Sequence, residues 1–336
     1  MAANSPAQFI NREERPLCGI AGVIYRNLEY YQNLGLDLLK LIQPLESRGP
    51  DSCGVGLYSN SVAPQQLKVL LVAEGKVQWE NVKQLLSQLA EVVAFESVGT
   101  GYRVTLQGRE GRYFSSEELK TELLTNFPQL HLMSVGQQLE IYKEVGAAAN
   151  LFQKYGLESF AGSHGIAHTR MATESVVDTY HSHPFTSAQD LCIVHNGQVS
   201  NYYKLRFVLE RQGVVFETHN DSEAIAHYLR YQLLQGKSLE ASLYNLLNDF
   251  DGTYTVLVAT SDKVGLVRDK FAAKPAVIYE SPQMIAVASE YRCLLHLPGF
   301  DSQATIREPD AGEVNVWSVA STASQVLELA GIASKV

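Results

Sequence analysis

The sequence has little cysteine, no long hydrophobic run and no dense basic cluster. Its four cysteines are scattered over 336 residues without a CxxC pair, which argues against a disulfide scaffold and favours a reducing, cytoplasmic location. No stretch approaches the ~18 apolar residues of a transmembrane helix. With 27 basic and 36 acidic residues, the net charge is -9, so nucleic acid and anionic membrane are poor candidate partners.

Cofactor signatures are also scarce. The glycines near Gly54 and Gly111 form neither GxGxxG nor a P-loop, so nucleotide binding has no support. His181 and His183 lie close together, but no HExxH pattern or carboxylate spacing accompanies them, and a catalytic metal is therefore not predicted. The chain is expected to carry no cofactor of its own.

The patterns that are present predict a mixed α and β protein. Hydrophobic residues make up 46% of the chain, enough for a large core, and the length suits two domains or one large one. A buried strand is predicted from Cys18 to Tyr25, and leucines at helical spacing predict a helix from about Glu29 to Leu45. From about 60 to 150, short strands and helices alternate, which predicts a small α/β insert with its own sheet.

Further elements follow the insert. Helices are predicted at 201–212 and 221–234, and strands at 163–170, 191–195, 254–259, 264–267, 276–279, 284–288 and 314–317. The predicted organisation is an N-terminal extension or propeptide at 1–17, one domain at 18–320 that contains the insert, and a tail at 321–336.

Cys18 is the first candidate for chemistry, because it opens a strand and is followed by glycine. If Cys18 became the amino terminus, its α-amino group, with a reference pKa of ~7.7–8.0, could activate its own thiol without a histidine. The alternative is a small core residue at the start of a strand.

Two charged residues could bind opposite ends of an amino acid. Arg170 ends a predicted buried strand, where a guanidinium could hold a carboxylate in a bidentate manner or pair with a structural acid. Asp221 begins a predicted helix, where it could accept from a substrate ammonium group or cap the helix.

A possible oxyanion site follows another strand. The Asn196 amide and the backbone N–H of Gly197 are both donors, and a sharp turn could aim them at one developing negative charge. Asn-Gly is also an ordinary turn dipeptide.

Taken in order, the motifs resemble the class II glutamine amidotransferases, a family with the N-terminal-nucleophile hydrolase fold. Each motif is short, but their combination and order are specific, and the resemblance covers about residues 18 to 317 apart from the insert. The motifs are Cys18-Gly-Ile-Ala-Gly, Arg48-Gly-Pro-Asp-Ser, His168-Thr-Arg-Met-Ala-Thr, His183-Pro184, His195-Asn-Gly, Asn220-Asp-Ser-Glu, Arg268-Asp269, Lys274-Pro275 and Val287-Ala-Ser-Glu290.

The resemblance implies a four-layer α-β-β-α sandwich and assigns roles. Cys18 would be the nucleophile that hydrolyses the glutamine side-chain amide through a thioester, with Asn196 and Gly197 as the oxyanion hole. Arg170 would bind the substrate carboxylate and Asp221 the ammonium group. Thr173 and His183 align with family positions near the pocket.

The similarity is greater to one subgroup, the amidotransferase subunit of N-methylglutamate synthase and related glutamate-synthase-like proteins. It rests on the segments at 168–175 and 140–146 and on the insert. It implies that ammonia passes to a synthase on another polypeptide, which would carry FMN and iron–sulfur clusters. The alternative is a non-catalytic regulatory or assembly subunit that binds glutamine with the same fold.

The family usually exposes its cysteine directly after the initiator Met, whereas here 17 residues precede Cys18. A propeptide, an alternative start near Leu17 or an inactive unprocessed protein would each explain the difference. With the extension attached, the backbone nitrogen of Cys18 is an amide and is not basic, so this form is expected to lack glutaminase activity.

Overall fold

The computed structural model describes residues 18–109, 115–171 and 177–319. These residues form sixteen strands and eight α-helices. The strands are β1 (Gly19–Tyr25), β2 (Ser52–Tyr58), β3 (Gln66–Ala73), β4 (Glu91–Val98), β5 (Gly101–Gln107), β6 (Leu130–Gly136), β7 (Leu139–Val145), β8 (His164–Arg170), β9 (Phe185–Ala188), β10 (Leu191–Val199), β11 (Gly252–Ala259), β12 (Lys263–Arg268), β13 (Val277–Glu280), β14 (Met284–Ala288), β15 (Thr305–Arg307) and β16 (Val314–Ser318). The helices are α1 (Leu34–Ile42), α2 (Trp79–Leu89), α3 (Ser116–Asn126), α4 (Ala148–Tyr155), α5 (Tyr202–Arg211), α6 (Asp221–Leu234), α7 (Leu239–Asp249) and α8 (Tyr291–Leu294).

Two antiparallel sheets form the body of the protein. The larger has the order β15-β13-β14-β1-β8-β2-β7, and the second has the order β16-β12-β11-β10-β9. An apolar layer with residues from both sheets, including Ile20, Ile166, Val194 and Leu257, lies between them. Burial of these facing side chains holds the sheets together.

Helices cover the outer faces of both sheets. Helices α1 and α4 share an apolar cluster with the larger sheet, and helices α5, α6 and α7 share another with the second sheet. The order of layers is therefore helix, sheet, sheet, helix, as predicted. Among the described residues, no helix is long and apolar enough to cross a membrane.

The insert has its own four-stranded sheet with the order β4-β5-β3-β6 and its own apolar cluster, to which α2 and α3 contribute. It spans residues 66–136, and the name insert is used for this range below. The predicted end near residue 150 is too late, because β7 pairs with β2 in the larger sheet and α4 packs on that sheet's cluster. Leu139 and Ile141 lie between the two main sheets, which is why this strand belongs to the body.

The predicted helix over residues 29–45 is shorter in the structure. Helix α1 covers only Leu34–Ile42, with 3-10 turns at Leu28–Asn33 and Gln43–Ser47. Pro44 lies in the first turn of the second 3-10 segment; since proline has no N–H to donate to the preceding turn, the α-helical hydrogen-bond pattern ends before it.

Candidate active site

Cys18 lies directly before β1, at the edge of the layer between the two sheets. Ile20, two residues later, faces the second sheet. Because side chains two apart on a strand share a face, the Cys18 side chain also points towards the second sheet. The Sγ atom is 3.9 Å from the carbonyl oxygen of Met171, and the side chain of Arg48 donates to the Cys18 carbonyl at 3.4 Å.

Arg170 ends β8, the neighbour of β1. Gly19 pairs with Thr169 in this ladder, so Arg170 lies next to Cys18 at the same end of the sheet. The residue is only 5% exposed. Burial lowers the pKa of the Arg170 guanidinium, while the nearby Cys18 raises it. The arrangement places a buried cation beside the thiol.

Burial and nearby positive charges have opposite effects on the pKa of the Cys18 thiol. Burial raises the pKa of the Cys18 thiol, and the charges of Arg170 and Lys274 lower it without cancelling that effect. Cys18 is nonetheless half-buried, whereas Cys53, Cys192 and Cys293 are buried, and burial raises the pKa of each to about 12. Cys18 is thus the cysteine that a substrate could reach.

Asn196 and Gly197 lie on β10 in the second sheet. Asn196 lies on the same face of the strand as Cys192 and Val194, which face the larger sheet. It is 2% exposed. Its Nδ2 has no hydrogen-bond partner among the described residues. Gly197 has φ +142°, and a Cβ there would lie 2.0 Å from the Thr253 carbonyl oxygen, so this position requires glycine. An unpaired buried amide in a native protein calls for an explanation, and a catalytic role is one.

Three buried histidines join the two sheets behind this point. The rings of His168 and His183 stack with centroids 4.0 Å apart, and His168 Nε2 is 3.0 Å from the His195 carbonyl oxygen. Ser222 Oγ is 3.0 Å from His195 Nδ1 and 3.3 Å from His183 Nε2. Burial lowers the pKa of all three, that of His168 to about 3, so the cluster is neutral at physiological pH.

Asp221 stands at the first position of α6 beside this cluster. Its Oδ2 accepts from the backbone N–H of Val199 at 2.9 Å, and its Oδ1 is 3.6 Å from His195 Nδ1. The helix cap is its neighbour Asn220, whose side chain accepts from the Ser222 N–H at 2.9 Å. The capping alternative for Asp221 is therefore wrong, and its carboxylate instead ties the helix to the end of β10.

The structure thus brings most of the predicted site together. Six of the residues lie at one end of the two facing sheets or at the adjoining start of α6: Cys18, Arg170, His183, Asn196, Gly197 and Asp221. Thr173 lies outside the described residues. Sequence reasoning gave no role to Arg48, Lys274, His195 and Ser222, although each belongs to one of the quoted motifs. Within the described ranges, no three potential metal-ligating side chains are grouped to hold an ion.

Comparison with known proteins shows the family of the chain. A family model described as a glutamine amidotransferase domain matches residues 168–296. The glutamine amidotransferase-like protein GlxB of Rhizobium meliloti is 36% identical over 301 residues, which cover 90% of this chain and 98% of GlxB. The chain belongs to the class II glutamine amidotransferases. A putative glutamine amidotransferase of Methanothermobacter thermautotrophicus is 32% identical over 90% of this chain and all of its own length.

Solved structures support the fold of this amidotransferase. The glutamine phosphoribosylpyrophosphate amidotransferase of B. subtilis superposes with a TM-score of 0.54 at 20% identity, covering 89% of this chain and 47% of its own. The predicted N-terminal-nucleophile hydrolase fold and the predicted enzyme class are confirmed.

Proposed function

We propose that this amidotransferase hydrolyses the side-chain amide of L-glutamine through Cys18. The thiolate attacks the amide carbon, and Asn196 Nδ2 with the Gly197 N–H stabilises the resulting oxyanion. The carbon–nitrogen bond then breaks, and the nitrogen leaves as ammonia after taking up a proton. Water hydrolyses the remaining γ-glutamyl thioester to glutamate and regenerates the thiol.

The unpaired Nδ2 of Asn196 is the observation that best supports this proposal. A buried donor without a partner costs about 1–3 kcal/mol, and an oxyanion forming beside Cys18 would satisfy it. Arg170 and Asp221 complete the site, because a cation and a carboxylate can bind the two charges of an amino-acid head group. The amide end would then be directed towards the thiol.

The base in this proposal is the α-amino group that Cys18 acquires when residues 1–17 are removed. Among the described residues, the imidazoles of His168, His183 and His195 form hydrogen bonds within their own cluster and with Ser222. None of these bonds involves the Cys18 thiol. A terminal amine with a pKa near ~8 could take up the thiol proton directly.

The test compares two forms of the protein. The full chain purified from its host is sequenced at its N-terminus, and a second form is made with Cys18 directly after the initiator Met. We expect glutamate and ammonia only from molecules that begin at Cys18, together with covalent labelling of Cys18 by the glutamine analogue 6-diazo-5-oxonorleucine. Cys18→Ala is the control. Full activity in molecules that begin at Met1 would refute the role of the α-amino group.

The same experiment distinguishes a glutaminase from the alternative, a non-catalytic subunit that binds glutamine. A form that begins at Cys18 and binds glutamine, but neither releases ammonia nor is labelled, would be a glutamine-binding regulatory or assembly subunit. Loss of glutamine binding as well would overturn both functions.

We further propose that the ammonia passes to a separate synthase subunit of a glutamate-synthase-like complex that carries FMN and iron–sulfur clusters. The subgroup resemblance of residues 140–146 and 168–175 supports this partner, and four free cysteines suit a cytoplasmic complex. Affinity purification from the native host is expected to co-purify a subunit with flavin and iron–sulfur absorbance. An amidotransferase that is isolated alone, and is fully active as a free glutaminase, would contradict this assignment.

A further inference from the structure

We propose that the insert holds the glutamine pocket in its binding-competent form, with Lys120, Tyr180 and Glu217 as positioning residues. The inference rests on the proposed function, because it concerns binding at the same site. It assigns a role to residues 66–136, for which the chemistry of the site has no use.

The base of the insert is fixed to the body by buried charge. Glu140 on β7 is 2% exposed and pairs with Lys68 of β3 at 3.0 Å and with Arg103 of β5 at 2.7 Å. Tyr142 donates to the same carboxylate at 2.5 Å. Because one body carboxylate receives two insert cations, the insert sheet has a defined orientation relative to the larger sheet.

A second attachment lies where the chain leaves the insert. The carboxylate of Asp190, in the turn between β9 and β10, accepts from the backbone N–H groups of Gln137, Gln138 and Leu139 at 2.8–2.9 Å. Asp190 N–H donates in turn to the Val135 carbonyl at 3.2 Å. The insert is therefore attached to both main sheets.

The opposite side of the insert contacts the segment that leads to His183. The ring of His131, on β6, lies 5.7 Å from the ring of Tyr180. Two residues after Tyr180, Ser182 Oγ donates to Ser52 Oγ of β2 at 2.8 Å, and His183 follows. The segment before His183 is thus held by two contacts, one with the insert through Tyr180 and one with β2 through Ser182.

The insert also contacts the segment that leads to Asp221. Lys120 of α3 forms an ion pair with Glu217, and Tyr180 donates to the same carboxylate at 2.7 Å. The backbone N–H groups of Glu217 and Thr218 donate to Glu223 at 2.7 and 2.8 Å, which connects the segment to the first turn of α6.

Glu217 therefore joins three parts of the chain: the insert, the segment before His183 and the segment before Asp221. A second ion pair, Glu117 to Arg230 at 2.7 Å, links α3 to α6 itself. A pocket whose walls are already ordered loses less conformational entropy when it binds its ligand. The insert would supply this order without touching glutamine.

The test measures glutamine binding by calorimetry in the form that begins at residue 18 and carries Cys18→Ala, so that neither catalysis nor residues 1–17 affect the binding. We expect Lys120→Met to weaken glutamine binding about three- to tenfold, because the insert loses its ion pair with the carboxylate that joins both segments. Glu217→Gln should have a similar effect. The double variant should be no weaker than either single one, since both remove the same interaction.

Lys83→Met is the matched control, because Lys83 lies on the other insert helix and its ammonium stacks on Phe95 within the insert. It should leave the affinity for glutamine unchanged. Lys120→Arg should restore most of the binding, which a general packing role would not require. In the active form, Lys120→Met should raise KM with little change in kcat, and should slow labelling by the glutamine analogue more than alkylation by iodoacetamide.

The outcomes distinguish failure of the proposed function from failure of the positioning role of the insert. If Cys18→Ala does not bind glutamine at all, the proposed function fails and the inference fails with it. If Cys18→Ala binds glutamine, and Lys120→Met binds it equally well while folding normally, only the positioning role of the insert is overturned.

Discussion

Two buried polar clusters in this amidotransferase are built in opposite ways. At the base of the insert, both oxygens of the Glu140 carboxylate have cationic partners. At the candidate active site, Asn196 Nδ2 and one nitrogen on each ring of His168, His183 and His195 have no partner among the described residues. Glu140, Lys68, Asn196 and the three histidines are almost completely buried, whereas the Arg103 side chain is partly exposed.

The difference distinguishes a structural cluster from a functional one. A buried polar network whose members are all paired fixes one arrangement of the chain. Unpaired buried donors and acceptors reduce stability and persist where something else supplies the missing partner. Substitutions at the base of the insert should therefore change stability, and those at the site should change activity.

The largest effect is expected from Glu140→Ala. The substitution leaves Lys68 and Arg103 without their shared carboxylate, and breaking a buried pair in this way costs about 3–5 kcal/mol. Chemical denaturation measures the loss. The control is Glu96→Ala, because Glu96 pairs with the same Arg103 at 3.3 Å but is largely exposed, and it should change stability by less than about 0.5 kcal/mol. Equal losses of stability in the two variants would contradict the proposed structural role of the Glu140 cluster.

Asn196→Ala should show the reverse behaviour. Removing an oxyanion donor typically lowers kcat by ~10²–10³, whereas the folded state loses no hydrogen bond from Nδ2. Steady-state kinetics and thermal unfolding are measured on the same samples. A large fall in melting temperature with kcat preserved would reverse the proposed distinction between the clusters.

Asp221→Asn should have a smaller, binding-specific effect. Asparagine keeps an oxygen that can accept from the Val199 N–H but loses the charge that would attract the substrate ammonium group. A charged hydrogen bond contributes about 1.5–3 kcal/mol, so KM for glutamine should rise about 10- to 100-fold with kcat less affected. An unchanged KM would remove Asp221 from the binding site.

The smallest effect near neutral pH concerns the histidine cluster. Burial lowers the pKa of folded His168 to about 3, while the unfolded residue titrates near ~6.5. Between these pH values the unfolded chain binds a proton that folded His168 does not. The contribution of His168 to the free energy of unfolding is therefore complete above pH ~6.5 and is lost as the pH drops towards about 3. Denaturation at several pH values should show this slope, and His168→Gln should reduce it. An identical slope in the variant would contradict a neutral, buried His168.

Much of the secondary structure was predictable because the local signals were strong. Helix α6 begins at Asp221 and ends at Leu234, as predicted, since a cap residue and acidic first turn mark its start. Helix α7 was missed although its signals were present: Ser238 caps it by accepting from the Ala241 N–H at 3.1 Å. Leu239, Leu243 and Leu246 then recur at helical spacing.

The boundary of the insert was not predictable from local patterns. Strand β7 follows β6 after two residues and looks like a continuation of the insert, but it pairs with β2. Only pairing between residues distant in the chain distinguishes the two sheets, and periodicity carries no information about pairing partners.

The family, the nucleophile candidate and the order of the site motifs could be predicted from the chain alone, because these depend on residue identity along it. Tertiary contacts decided that the carboxylate of Asp221 accepts from the end of β10, and that three neutral histidines connect the two sheets. They also decided that the insert contacts the segments before His183 and Asp221. These properties arise from burial and from contacts across tens to hundreds of residues, which no local pattern in the chain contains.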